Sequence, residues 1–215
     1  TNDVRAATYG EWQHGSGKGV DDMVVIFVGT GIGGGVVSGG RILEGCYNTG
    51  GELGHTMLVS GGRKCRCPNR GCLEAYSGGW AIAERAKEAV SENPAQGETL
   101  KTLGGGTKNI TAATVSQAYG EGDILAKRLV EETGKYLASG VVGIVNAFSP
   151  CLLAFGGGVI EGLPVLINAV EKTIRKRALT PGSEKLKVVK GELGVKAGVI
   201  GASEMARNRF GGGAA

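Results

Sequence analysis

Short, wholly apolar runs alternate along the chain with longer stretches of helical periodicity. The run at 23–28 is rich in β-branched residues, and 151–155 is a second run without charged side chains. Runs of this kind are typical of strands that are covered on both faces. Between them, residues 122–147 carry apolar side chains at four-residue spacing, which predicts a long helix that ends before Pro150. Strands that alternate with helices predict an α/β domain with a central sheet.

Capping and turn residues predict the remaining elements. Asn2 and Asp3 precede a run of helix formers and Gly15 follows it, which predicts an opening helix. Residues 35–43 have the pattern of a tight β-hairpin. Further predictions are helices over 78–90, 163–177 and 197–209, a short helix capped by Thr111, a strand over 185–191, a polar loop over 91–108 and a frayed end over 211–215.

The composition is that of a globular protein whose backbone makes many turns. Of its 215 residues 41 are glycine, without the three-residue period of collagen, and 41% are hydrophobic, which is enough for a buried core. The net charge of +4 is modest and scattered, so it indicates neither a nucleic-acid nor a membrane partner. No apolar run approaches the roughly 18 residues of a membrane span, and no signal-peptide pattern opens the chain. With an odd count of five cysteines, these features predict a soluble, cytoplasmic protein with reduced thiols.

A cluster of metal-binding side chains is the strongest chemical signal in the sequence. Cys65, Cys67 and Cys72 lie close together in a stretch that can fold into a tight knuckle. His55, ten residues before Cys65, can complete a set of four ligands, and Cys₃His is a common set for structural zinc. The alternative is three free thiols in a basic loop beside an unrelated histidine. The density of cysteines favours zinc.

Glycine clusters follow both predicted central strands. In the first, GTGIGGG, the residues Gly29, Gly31 and Gly34 have the spacing of a dinucleotide-binding fingerprint. That fingerprint requires a helix directly after it, and here a hairpin follows, so a Rossmann site is disfavoured. Backbone N–H groups and the Thr30 hydroxyl can still bind phosphate. With a second cluster at 156–158, the pattern suggests a nucleotide held between two strand-end loops.

Three acidic residues lie beside candidate motifs: Asp3 in TND, Glu52 in GGELGH and Glu74 in GCLEAY. Most Asp and Glu side chains are solvated surface groups, and each of these alone would be one. Glu52 and Glu74, however, flank the proposed zinc ligands, so the metal would hold them near each other. Carboxylates fixed on a rigid support suit the recognition of sugar hydroxyls.

Six motifs occur in an order that resembles the ROK family of sugar kinases and sugar-responsive repressors, and its glucokinase-like kinases most closely. The motifs are ND-x3-A at 2–7, GTGIGGG at 29–35, GGELGH at 50–55, CRCPNRGCLE at 65–74, FGGGVI at 155–160 and LGVKAGVIGA at 193–202. They extend across nearly the whole chain, and the ordered combination is far more specific than any one motif. The resemblance implies the actin-like ATPase and sugar kinase fold, an α/β fold of the ribonuclease H-like type, with two lobes that close on a sugar and ATP.

The resemblance also implies a role for each motif residue. Asp3 resembles the catalytic base that takes the proton from the attacking sugar hydroxyl. The implied sugar contacts are Asn2, Glu52, His55 and Glu74. The implied metal ligands are His55, Cys65, Cys67 and Cys72, with one ring nitrogen of His55 on the zinc and the other directed at a hydroxyl. The implied phosphate loop is Gly29, Thr30 and Gly31, and the implied adenosine side is Gly156, Gly157 and Gly158.

The family pattern divides the chain into two parts. Residues 1–18 match the end of the small lobe and its hinge helix, and 19–215 match the large lobe, with a zinc-binding loop at 55–72 and a C-terminal helix. Kinases of this family begin with a small lobe whose Asp-x-Gly-x-Thr loop grips ATP and Mg²⁺, and that loop does not occur in the 215 residues. The chain alone is therefore expected to bind zinc but to be incomplete for catalysis. Two positions depart from the family pattern: Arg5, where Asn is usual, and Pro68, where Gly is usual.

The resemblance implies ATP-dependent phosphorylation of a hexose, with glucose to glucose 6-phosphate as the first expectation. Structural zinc, Mg²⁺ and ATP are the implied cofactors, and the family favours a homo-oligomer, a dimer or a tetramer. Other hexoses, and polyphosphate as the donor, stay open. One alternative is the effector-binding domain of a ROK-family sugar-responsive repressor, which is disfavoured because the base and the phosphate loop are present. Another is a zinc-knuckle nucleic-acid module, which would need more aromatic side chains near the cysteines; no nucleic-acid or membrane partner is expected.

Overall fold

A mixed five-stranded sheet forms the centre of the fold within residues 2–179 and 182–210, which the computed structural model describes. The strands are β1 Met23–Val28, β2 Ile32–Ser38, β3 Arg41–Ile42, β4 Leu152–Gly156 and β5 Lys187–Lys190. Their order across the sheet is β3-β2-β1-β4-β5. The pairs β3–β2 and β2–β1 are antiparallel, whereas β1–β4 and β4–β5 are parallel. The carboxyl ends of β1, β4 and β5 therefore meet at one edge of the sheet.

Helices provide most of the rest of the fold. They are α1 Asp3–His14, α2 Glu74–Ser77, α3 Gly79–Glu92, α4 Glu98–Gly104, α5 Ala112–Gly120, α6 Ile124–Phe148, α7 Gly158–Gly162, α8 Val165–Arg177, α9 Gly182–Lys185 and α10 Ala197–Phe210. Short 3₁₀ turns occur at Leu53–His55, Thr107–Asn109 and Gly194–Lys196. No helix in the described ranges combines the length and the apolar character needed to cross a membrane.

The two faces of β1 pack against different layers, because successive side chains of a strand point to opposite sides. Val24, Ile26 and Val28 belong to the large core that the sheet forms with α3, α5, α6 and α8. Met23 belongs to a smaller cluster on the other face, against which Trp12 of α1 packs. Since α10 packs on α1, the sheet lies between two helical layers.

Most of the predicted elements are confirmed. The apolar runs form β1 and β4, and the periodic stretch forms α6. This helix ends at Phe148, and Ser149 in a left-handed conformation and then Pro150 follow it. The opening helix is α1, and the Asn2 side chain caps it by accepting a hydrogen bond from the Arg5 N–H at 2.7 Å. The predicted frayed end at 211–215 lies outside the described residues.

The prediction of a loop over 91–108 is wrong, because this stretch contains α4 and a 3₁₀ turn. Polar residues and glycines dominate the segment and conceal its helical pattern. Leu100 is the one residue of α4 that is buried, and it is fully enclosed in the large core. Leu103, which is partly buried, also packs against this core, but two apolar side chains are too few for periodicity to reveal a helix.

The predicted start of the hairpin at residue 35 is also wrong, because β2 begins at Ile32 and takes in part of the first glycine cluster. Packing explains why glycines occupy this strand. A Cβ atom on Gly33 would lie 2.4 Å from a methyl group of Val4, and one on Gly35 would lie 2.1 Å from the Thr8 hydroxyl. The absence of side chains therefore lets α1 lie directly on β2.

Candidate active site

The predicted zinc loop folds back on itself through backbone hydrogen bonds. The N–H groups of Leu58 and Val59 both donate to the Gly71 carbonyl, at 2.7 and 3.1 Å. Gly71 has a φ of +82°, and a Cβ atom there would lie 1.7 Å from the Val59 carbonyl oxygen, so only glycine fits. The N–H of Cys65 donates to the Asn69 carbonyl at 3.1 Å, which closes the turn that carries the first two cysteines.

The four predicted zinc ligands converge, and their ligand atoms all lie within 4.8 Å of one another. The Sγ atoms of Cys67 and Cys72 are 3.6 Å apart, and Nδ1 of His55 is 3.7 Å from Sγ of Cys65. A tetrahedral zinc ion with Zn–S bonds of about 2.3 Å separates its ligand atoms by about 3.7 Å. The residues therefore fit zinc, and four protein ligands leave no open position for catalysis.

The surroundings of the three thiols set their protonation. Burial raises the pKa of Cys65 and raises that of Cys72 to about 12. The pKa of Cys67 is lowered, chiefly by a hydrogen bond from the backbone N–H of Asn69. Because zinc binds thiolates, loading of this site displaces protons from the two buried thiols.

Predicted sugar contacts meet at the N-terminus of α1. The Nδ2 atom of Asn2 donates to Oε1 of Glu52 at 3.4 Å, while its Oδ1 caps the helix. Asp3 is the first helical residue, and its exposed carboxylate accepts a hydrogen bond from the next backbone N–H at 2.9 Å. His55 ends the 3₁₀ turn that begins directly after Glu52. Because Nδ1 of His55 faces Cys65, the opposite ring nitrogen is available to a ligand.

Arg5 is a buried anchor for the loop before Glu52. Its side chain is 1% exposed and donates to the side-chain oxygen of Asn48. It also donates to the Asn48 carbonyl at 2.9 Å and to the Gly50 carbonyl at 3.3 Å. Its Nε atom has no hydrogen-bond partner among the described residues. Arg5 thus fixes the path of the chain into Glu52.

Glu74 is buried, and both of its carboxylate oxygens already accept hydrogen bonds from the protein. Oε2 accepts from the Ile32 N–H at 2.8 Å, and Oε1 accepts from the indole N–H of Trp80 at 3.0 Å. A Cβ atom on Gly31 would lie 2.3 Å from Oε2. Glu74 therefore joins the start of β2 to α3, and each oxygen keeps further lone pairs for a sugar hydroxyl.

The predicted phosphate loop is a tight turn between β1 and β2. The Gly29 N–H donates to the Gly31 carbonyl at 2.9 Å. The first residues of α3 hold the turn, since the Gly79 N–H donates to the Gly29 carbonyl and the Trp80 N–H to the Thr30 carbonyl, both at 2.9 Å. A Cβ atom on Gly29 would meet no other atom within 4 Å, so this side of the loop is open.

The second glycine cluster combines packed and open positions. Gly157 has a φ of +94°, and a Cβ atom there would lie 2.5 Å from the Val28 carbonyl oxygen. A Cβ atom on Gly156 would lie 2.8 Å from the Phe27 ring. These two glycines let the end of β4 approach the end of β1. Gly158 has no atom within 4 Å of the corresponding position, so it alone faces free space.

A cavity of about 850 Å³ lies beside both glycine clusters, at the carboxyl edge of β1 and β4. Its wall contains three of the predicted nucleotide-binding residues, Gly29, Thr30 and Gly158. Cofactor sites commonly occupy about 300–1,000 Å³, and α/β sheets bind ligands at this edge. Other lining residues, which the sequence did not predict, include Arg66, Trp80, Lys87, Ser116 and Gln117. They come from the zinc loop and from two helices. Arg66 lies inside the motif at 65–74, where the resemblance implies roles only for the cysteines and Glu74, and no local motif marks the other four.

Comparison with known proteins identifies the family. Residues 1–209 match the ROK family. A glucokinase of Streptomyces coelicolor is 32% identical over 209 residues, which cover 96% of this chain and 66% of that protein. NagC, a DNA-binding transcriptional dual regulator of Escherichia coli, is 30% identical over 192 residues, which cover 89% of this chain and 46% of that protein. The chain thus spans just under two thirds of the glucokinase and less than half of the regulator.

A solved structure supports the same conclusion. A ROK family glucokinase from Streptomyces griseus, in complex with glucose and AMPPNP, superposes with a TM-score of 0.86 at 32% identity. The match covers 96% of this chain and 67% of that one. These likenesses confirm the predicted α/β, actin-like ATPase fold. The chain therefore belongs to the ROK family.

Proposed function

We propose that this chain is the large lobe of an ATP-dependent hexose kinase that converts glucose to glucose 6-phosphate. One observation carries the proposal, namely that Trp80 bonds both parts of the site. Its backbone N–H donates to the phosphate loop, and its indole N–H donates to Glu74. The candidate sugar contacts and the nucleotide cavity thus meet at one residue. The relatives named glucokinase support this function.

Asp3 is the proposed general base, which takes the proton from the attacking 6-hydroxyl. Its exposed position at the start of α1 lies next to Asn2, which contacts Glu52. We assign sugar-hydroxyl recognition to Asn2, Glu52, His55 and Glu74. Phosphoryl transfer depends on positioning and charge neutralisation more than on covalent catalysis, so one base and a fixed sugar are sufficient on the acceptor side.

The nucleotide is assigned to the cavity of about 850 Å³. Thr30 offers its backbone N–H group and its hydroxyl to the phosphates. Gly29, whose own N–H donates to the Gly31 carbonyl, leaves its open side to them, and Gly158 borders the proposed adenosine side. Gly31, Gly156 and Gly157 act through the backbone shape of the two loops. Mg²⁺ bound with ATP supplies charge neutralisation for the transferred group. The zinc ligands His55, Cys65, Cys67 and Cys72 hold the loop that closes this side of the site.

We retain the division of the chain at residues 18 and 19, with 1–18 as the end of the small lobe and its hinge helix and 19–215 as the large lobe. By family analogy, we place the protein in the cytoplasm as a dimer or tetramer. Light scattering on the purified protein measures its oligomeric state, and a monomer at all concentrations would contradict the proposed dimer or tetramer.

A second candidate is the effector-binding domain of a sugar-responsive repressor. The similarity to NagC over 192 residues favours it. In this case the four proposed sugar contacts would bind a sugar effector, and the nucleotide cavity would serve no catalytic purpose. The two candidates differ in whether Asp3 performs chemistry.

A coupled kinase assay on the full-length gene product, with a panel of hexoses and ATP, tests the first proposal. We expect turnover on glucose, and we expect Asp3→Asn to lower kcat by about 10²–10⁴-fold, the usual contribution of a general base. Asp21→Asn, at an exposed position before β1, is the matched control and should keep full activity. An absence of turnover on every sugar, together with sugar-dependent DNA binding by the same protein, would establish the repressor instead.

A further inference from the structure

Arg66 occupies a fixed position on the zinc loop. It lies between two predicted zinc ligands, Cys65 and Cys67, so its backbone is anchored on both sides. Its guanidinium carbon lies 4.9 Å from the centroid of the Trp80 ring. Cation–π stacking of this kind orients a guanidinium and leaves the N–H groups at its edge free to donate.

Trp80 places this guanidinium beside the phosphate loop. Its backbone N–H donates to the Thr30 carbonyl at 2.9 Å, and Arg66, Trp80 and Thr30 all line the same cavity. The side chain of Arg66 is therefore held at the wall that also contains Gly29.

The charge balance of the cavity wall leaves Arg66 available to an anion. The other charged lining residues are Glu84 and Lys87, which form an ion pair at 3.0 Å with each other. Arg66 has no carboxylate within salt-bridge distance in the described part of the chain. Among the residues that the structure describes, Arg66 is thus the charged group of the cavity wall without an opposite charge beside it.

We infer that Arg66 binds the phosphate oxygens of the nucleotide, and that the zinc loop supplies a charged group to the phosphoryl-transfer site. This inference rests on the proposed kinase function and adds a residue to it. Arginine suits phosphate because its planar group can donate two parallel hydrogen bonds. The zinc ligands then have a second consequence, since they determine where this cation lies.

Calorimetric titration of the zinc-loaded protein with adenosine and with MgATP tests the inference. We expect Arg66→Gln to raise the Kd for MgATP about tenfold or more, the loss typical of a hydrogen bond to a charged group, and to leave the Kd for adenosine within about twofold. Arg66→Lys, which keeps the charge but not the paired donors, should lie in between. The control is Arg70→Gln, on the same loop, where the guanidinium is exposed and donates to the Gly61 carbonyl at 3.4 Å.

The outcomes separate the inference from the function on which it rests. Zinc content measured on each variant shows that the loop is intact. If wild-type protein binds both ligands and Arg66→Gln has an unchanged ratio of the two dissociation constants, the inference is wrong and the nucleotide site stands. If wild-type protein binds neither adenosine nor MgATP, the proposed kinase function fails, and the inference fails with it.

Discussion

Gly201 of α10 packs directly on the carbonyl group of Ala6 in α1: a Cβ atom on Gly201 would lie 1.6 Å from the Ala6 oxygen. The reverse contact is similar, since a Cβ atom on Gly10 of α1 would lie 2.5 Å from the Ala197 carbonyl oxygen. Each helix thus contributes a glycine to the crossing. Because α1 begins with the proposed base and its neighbouring sugar contact, the close approach of α10 helps to fix the acceptor side of the site.

We expect Gly201→Ala to destabilise the protein by about 1–3 kcal/mol, because the added methyl group forces the two helices apart. Gly198→Ala is the matched control on the same helix, where an added Cβ atom meets nothing within 4 Å. That change should be neutral or stabilising by up to about 1 kcal/mol, since alanine favours helix more than glycine does. Urea unfolding followed by circular dichroism measures both. Equal midpoints for the two variants would show that the crossing tolerates a side chain.

Glu11 of α1 is the second residue on which this end of the fold depends. It is 1% exposed, and its carboxylate accepts hydrogen bonds from the Ser16 N–H and hydroxyl at 3.1 and 2.9 Å. It also accepts from the N–H groups of Glu192 and Leu193, at 3.1 and 2.8 Å. One side chain therefore connects the end of α1 to the segment before α10.

We expect Glu11→Gln to lower the free energy of unfolding by about 1.5–3 kcal/mol, because its amide group turns N–H donors toward backbone N–H groups and leaves at least one of them unpaired. Glu192→Gln is the control for the loss of a negative charge, since that side chain is exposed in the same region. Chemical denaturation gives both values. A Glu11→Gln midpoint equal to that of the control would mean that water replaces the lost bonds.

The sequence predicted the elements whose signals are local and missed those that depend on distant partners. The apolar runs predicted β1 and β4, and the spacing of Cys65, Cys67 and Cys72 predicted a ligand cluster that the structure brings together. The role of Glu11 could not be predicted in this way, since Leu193, one of its partners, is 182 residues away. The same applies to Trp80, which no sequence pattern marked.

The glycine-rich stretch after β1 shows why a motif can be recognised while its boundary with the next strand is misplaced. The sequence predicted a hairpin that begins at residue 35, but β2 begins at Ile32, and Gly33 and Gly35 within this strand make room for side chains of α1. Only the tertiary packing separates these glycines from Gly29, whose open side faces the cavity. Fold class followed from the pattern, whereas the boundary of the loop required the contacts.

Zinc binding provides a direct test of the metal centre. We expect one zinc ion per chain, and we expect Cys72→Ser to reduce the zinc content strongly and to lower Tm, because the change removes one of four ligands and the free energy of metal binding contributes to folding. Cys46→Ser and Cys151→Ser are matched controls, since both cysteines are exposed and lie outside the cluster. Elemental analysis and thermal unfolding with and without a chelator measure the effects. Full zinc content in Cys72→Ser would contradict the assigned ligand set.

Arg5 offers a test of the loop that leads to Glu52. We expect Arg5→Lys to raise the Kd for glucose about tenfold, because the single Nζ of a lysine cannot replace two guanidinium nitrogens. One of these nitrogens bonds the Asn48 side chain and the other bonds the Asn48 and Gly50 carbonyls, so the loop loses part of its anchor. The Kd for MgATP should stay unchanged. Arg41→Lys, at an exposed position of β3, controls for the change of cation. Parallel weakening of both ligands would indicate general destabilisation and would contradict a specific effect on the sugar side.

Gly29→Ala tests the phosphate loop with little risk to the fold. Because an added Cβ atom there meets no protein atom within 4 Å and Gly29 lines the cavity, the methyl group projects into space that we assign to the nucleotide. We expect the Kd for MgATP to rise about tenfold or more, while the free energy of unfolding changes by less than about 1 kcal/mol. Gly143→Ala, an open glycine of α6, is the matched control. Unchanged MgATP affinity in a folded Gly29→Ala variant would place the phosphates elsewhere in the cavity.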